Sequence, residues 1–161
     1  MKRKLCFTAA AFVFVLGIFL TLTRKDPIEK NIGYVYLICG ENETALKGYK
    51  VSSLSNNRKT EYEQIDLKEI ADNLYEISVT DNDKPDIKLT FRKNFTGAVK
   101  YDIYDDSFNI ISESQENIYF SGSEKGKYYI SVGVNWGSKK ENILVRYYFC
   151  LLYTSDAADE L

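Results

Sequence analysis

Two stretches near the C-terminal end of this chain alternate with period two. Tyr128, Ile130, Val132, Val134 and Trp136 fall on one parity, and after Gly137-Ser138-Lys139-Lys140 the pattern resumes at Ile143, Val145, Tyr147 and Phe149. Successive side chains of a strand point to opposite faces, so this spacing predicts two strands buried on one side. Trp136 shares the parity of Ile130 and Val132 and reads as core. Tyr129 and Tyr148 take the opposite parity, which makes them the candidate surface aromatics for binding a sugar or peptide.

The same period recurs upstream. Tyr34, Tyr36 and Ile38 alternate with Val35 and Leu37 until Gly40, and Leu46–Leu54 holds a second candidate strand in which Gly48 marks a bulge or a close backbone approach. Ser55–Lys59 reads as a turn, Glu61–Ile65 as a short strand and Asp66–Ala71 as one helical turn. Further strands carry Tyr75, Ile77 and Val79, then Ile87, Leu89 and Phe91, then Val99, Tyr101 and Ile103, with short ones at Phe108, Ile110 and Ile118–Phe120. Eight or nine short strands with turn signals between them predict an all-β fold, an antiparallel sandwich with one face of each sheet on the core.

Ahead of this body stands Leu5–Thr23, nineteen residues without a charge, behind Lys2, Arg3 and Lys4. As a helix it would reach about 28 Å, the thickness of a bilayer's hydrocarbon core. Leu5, Phe12, Val15, Phe19 and Thr23 sample its length as membrane-anchor positions. No small-x-small cleavage site closes the run, so an uncleaved transmembrane helix is favoured over a cleaved secretory signal, which would leave a secreted domain. The flanking cations favour a cytoplasmic N-terminus and a body outside the cell membrane. The organisation expected is therefore an anchor at 1–25, a juxtamembrane tether at 26–31 and a sandwich at 32–149.

From Pro27 to Phe149 there are 16 basic and 19 acidic residues, with the signs interspersed, so no basic patch for nucleic acid is visible. Cys39 is the one cysteine of that stretch and reads as a half-buried strand-end residue; no disulfide framework can form.

Lys125–Val132, Trp136 and Arg146-Tyr147-Tyr148-Phe149 together resemble the closing hairpin of uncharacterised exported domains of low-GC Gram-positive bacteria. Lys47-Gly48-Tyr49-Lys50-Val51 is similar to their early strand. The resemblance implies an immunoglobulin-like sandwich behind a membrane helix or lipoprotein signal, and it implies no activity. The tail Cys150–Glu160 resembles a translated sequencing adapter, so residues 150–161 are set apart as a tail of artefactual origin.

Histidine is absent, which removes Ser-His-Asp and Cys-His catalysis and histidine-bearing zinc sites. No phosphate-binding glycine loop or nucleophile elbow occurs. No cofactor is expected. Asp81, Asp83 and Asp86 could hold Ca²⁺ in one loop, and Asp102, Asp105 and Asp106 crowd another, although aspartates in turns are ordinarily solvated. The leading expectation is a membrane-anchored binding or sensing module for a cell-wall glycan, a peptide or another membrane protein. A structural module of a longer surface protein and a carboxylate-dependent hydrolase of a surface polymer are the alternatives.

Overall fold

The alternating segments pair into two sheets that share one apolar interior. The computed structural model describes residues 27–80, 87–115 and 125–154, and the anchor positions Leu5 to Thr23 lie outside them. Among the described residues no helix is long and apolar enough to cross a membrane. The strands are β1 (Tyr34–Cys39), β2 (Asn42–Ala45), β3 (Gly48–Ser55), β4 (Arg58–Glu61), β5 (Glu76–Thr80), β6 (Ile87–Arg92), β7 (Lys100–Tyr104), β8 (Ile110–Gln115), β9 (Gly126–Gly137) and β10 (Asn142–Thr154). A small sheet runs β2-β1-β6; the large sheet runs β4-β3-β10-β9-β7-β8, with β5 also paired to β10.

Strand β10 organises the large sheet. Along one edge it pairs with β9 from Asn142 to Tyr153. Its other edge is shared in sequence: β3 takes Asn142–Tyr147 and β5 takes Cys150–Thr154. The β5 pairing is parallel, so the sandwich-like fold is mostly rather than purely antiparallel. Leu151 keeps the inward parity of Phe149 and is buried, and Cys150–Thr154 continue the strand beyond the end expected at residue 149 by pairing with β9 and β5.

Parity places the core as expected. Ile130, Val132, Val134 and Trp136 of β9 meet Ile143, Val145, Tyr147 and Phe149 of β10, all essentially without solvent exposure. Val35 and Leu37 of β1 close the interior from the small sheet. Each such side chain contributes roughly 1.5–3 kcal/mol of burial. Residues 27–31, expected as a free tether, form a 3₁₀ turn with Ile28 in the core and Glu29 paired to Lys50. The apolar Ile28 explains the difference, because leaving it in water would forfeit that burial.

Two local expectations shift. Asn56 and Asn57 both take positive φ, 49° and 60°, forming the tight hairpin turn that asparagine tolerates. Pairing therefore restarts at Arg58, and β4 begins three residues earlier than the strand expected at Glu61. Phe108 sits at φ 66° in a loop rather than in a strand. The helical turn at Leu67–Ile70 forms as read, capped by the Asp66 carboxylate, which accepts from the Lys68 amide at 3.0 Å.

A buried polar chain crosses the core. Trp136 Nε1–H donates to the Tyr147 hydroxyl at 2.8 Å, and that hydroxyl donates to the Gly33 carbonyl at 3.2 Å. Burial pushes the Tyr147 hydroxyl up to about 12 from an ordinary 10. A raised pKa means the unfolded chain loses this proton first. Its stabilisation is complete below pH 10 and is lost as pH rises through 12, by about 2–3 kcal/mol. Urea titrations across this range should show a fall in stability that is shallower in Tyr147→Phe. Equal slopes would remove the buried hydroxyl as the cause.

Candidate functional site

Register determines which polar side chains meet on the outer face of the large sheet. Asp102 of β7 lies opposite Ser131 of β9, and Ser131 lies opposite Tyr148 of β10. In the neighbouring row Lys100 faces Gly133, Gly133 faces Arg146, and Arg146 faces Tyr49 of β3. Gly133 carries no side chain, so the row is low between Lys100 and Arg146.

Arg146 is the centre of this patch. Its Nη2 lies 3.5 Å from Asp102 Oδ2, with the arginine side chain 39% and the aspartate 11% exposed. Burial opposes the guanidinium charge, but Tyr148, Asp102 and Tyr104 outweigh it and hold the Arg146 pKa above its ordinary value. The Tyr104 hydroxyl is pushed up, first by burial and then by the Asp102 charge. Tyr49 meets Tyr148 edge-on at 5.8 Å between ring centroids, and the Lys47 ammonium lies 5.2 Å from the Tyr49 ring.

Tyr129 and Tyr148 do face away from Trp136, but neither has the exposure expected of it: they are 6% and 8% exposed. Phe108 stacks on Tyr129 with centroids 4.9 Å apart and 19° between the planes, and Leu67, Ala71 and Leu74 pack around it. Tyr148 is covered by Tyr49 and Arg146. The connection after β4 and the loop after β7 thus roof the part of the outer face around Tyr129, which period-two parity cannot reveal.

The acidic clusters divide. Asp81, Asp83 and Asp86 lie outside the described residues. Asp105 accepts from the amides of Ser107 at 3.0 Å and Asn109 at 2.7 Å and from Asn109 Nδ2 at 3.0 Å. Those bonds, the Asn109 side chain first, hold its carboxyl below the usual range. Asp102 is turned to Arg146, so the second cluster does not converge on a point. Among the described residues no group of three or more metal-ligating side chains comes together. Cys39 is a free, half-buried residue at the end of β1, as expected.

Ser131 is fully buried, and its hydroxyl has no hydrogen-bond partner. Unpaired buried polar groups destabilise, whereas removing the group restores the balance. Ser131→Ala is therefore expected to leave stability unchanged or raise it by about 1 kcal/mol. Chemical denaturation checks this; a loss of similar size would show that the hydroxyl has a partner.

Sequence reasoning missed Tyr49 and Arg146. Parity alone puts Arg146 on the face of Tyr148, but Tyr49 joins them only through the β3–β10 register, with its bulge at Val51. No family model, curated protein or solved structure matches the chain.

Proposed function

We propose that this chain is a membrane-anchored extracytoplasmic binding or sensing module, an immunoglobulin-like sandwich held outside the cell by Leu5–Thr23. The observation that carries the reading is the patch on the outer face of the large sheet. There a half-exposed guanidinium stands among Tyr49, Tyr104 and Tyr148, with Lys47 beside it. Aromatic faces offer stacking area to sugar rings, and an arginine fork binds carboxylates. The ligand chemistry that fits is a carboxylate-bearing cell-wall glycan or peptide.

Retention of the full chain on isolated peptidoglycan is the test. Tyr49→Ala and Arg146→Ala should each weaken it roughly tenfold or more, the scale of an interface hot spot. Unchanged retention would reject the patch. The anchor is tested separately: the protein should resist carbonate extraction from membranes and be cut by protease added outside the cell. The adapter-like origin of residues 150–161 is part of this reading. Resequencing the gene across the codon for Phe149 tests it, and native residues there are expected to keep apolar side chains at 151 and 153.

A further inference from the structure

The two ends of the large sheet carry opposite charge. Residues 27–33, the segment 93–97 and the β9–β10 hairpin gather at one end. The Lys93 ammonium donates to the Lys30 carbonyl, the Thr96 amide donates to Asn135 O at 2.7 Å, and the Thr96 hydroxyl donates to Gly137 O. The β3–β4 turn lies beside them, because Leu54 pairs with Asn142. Exposed Lys30, Arg58, Lys93, Lys139 and Lys140 stand at this end with Glu141, while Lys59 is paired to Glu61. Tyr34 and Phe95, at 66% and 37% exposure, add apolar surface.

At the other end Tyr129 is seven residues from Trp136 along β9, about 23 Å away. Around it stand Asp66, Glu69, Asp72, Asp105 and Asp106; the nearby cations are Lys68, over the Phe108 ring, exposed Lys125, and Lys127, which lies over the Tyr129 ring and is paired to Glu76, so acidic residues remain in excess.

The chain also enters the fold at the basic end. Because residues 27–31 are packed on the sandwich, Arg24, Lys25 and Asp26 are what separates Thr23 from the folded body. Three residues can reach at most about 10 Å, comparable with the headgroup layer of a bilayer. Two of those three are themselves cationic.

We propose that the basic end of the sandwich docks on an anionic phospholipid surface, with Lys30, Lys93, Lys139 and Lys140 at the headgroups and Phe95 and Tyr34 at the interface. This orientation rests on the anchored reading above. It also turns the acidic end away from a negatively charged surface, so attraction and repulsion act in the same sense. Lys139 and Lys140 project from a tight hairpin in which the Ser138 hydroxyl accepts from the amides of Lys140 and Glu141. The outer-face patch around Arg146 would then stand sideways to the membrane, open to the cell wall.

The full chain in lipid nanodiscs tests this by brief amine labelling read by mass spectrometry. In phosphatidylglycerol discs at low salt, Lys139 and Lys140 should label at least roughly threefold more slowly than in phosphatidylcholine discs. Lys68, at the acidic end, should label equally in both. High salt should abolish the difference, and Lys139→Glu with Lys140→Glu should abolish protection at Lys30 and Lys93. A chain retained by the discs but labelled equally in both lipids overturns the docking alone. Failure to stay with either kind of disc overturns the anchor and the docking together.

Discussion

Trp136→Ala is expected to destabilise the protein by about 3–5 kcal/mol, a large fraction of the 5–15 kcal/mol that typically holds a domain together. Three losses coincide. The indole is fully buried, so its removal leaves a cavity between the sheets. Phe91, Phe95 and Tyr147 lose the ring they approach at 6.5, 6.1 and 6.5 Å. The Tyr147 hydroxyl also loses the donor it accepts from. Tyr147→Phe separates the polar share: it keeps the ring but leaves the Trp136 N–H and the Gly33 carbonyl without this partner, at about 1–3 kcal/mol. Urea denaturation of both variants checks the pair. A Trp136→Ala variant within about 1 kcal/mol of the parent would mean that the indole does not sit in a close-packed interior.

Gly33→Ala is the second large effect, and its cause is steric. A Cβ on Gly33 would lie 2.5 Å from Trp136 Cζ3, 2.7 Å from Lys93 Cβ and 2.8 Å from Trp136 Cη2. The indole is wedged among aromatic rings and cannot withdraw cheaply. Overpacking of this kind costs about 1–3 kcal/mol or more, from a single methyl group. The expected signature is non-additivity: in a Trp136→Phe background the smaller ring frees the space, and Gly33→Ala should cost much less. A double-mutant cycle by thermal unfolding measures this coupling, and strictly additive effects would place the clash elsewhere.

The inside of the fold was legible because it obeys a local rule. One parity along β9 and β10 collects Ile130, Val132, Val134, Trp136, Ile143, Val145, Tyr147 and Phe149, and all eight lie in the observed core. Gly48 was legible for a similar reason: a Cβ there would come within 2.8 Å of Tyr147 and Val145, the close approach its position in a strand implied. The outside of the sheet was not legible. Whether an outward residue meets water depends on what distant chain lies over it, and Tyr129 is covered by Phe108 and Leu67–Leu74 through contacts unrelated to its own period. The parallel docking of β5 on β10 is hidden likewise, since pairing partners are chosen by the whole sheet.

The alternation that makes the chain all-β, the inward face of its longest strands, the absence of histidine chemistry and the charge-free run before the body are all readable from the residues in order. Those are properties of composition and of a two-residue period, both written locally. Packing and strand pairing across the fold set the meeting of Arg146, Asp102, Tyr148 and Tyr49, the burial of the two aromatics that parity had set outside, and the separation of a basic end from an acidic one. Charges interspersed along the chain look neutral when read in order. Strand register and hairpin turns sort them in space, because each reversal of the chain returns it to one of the same two ends.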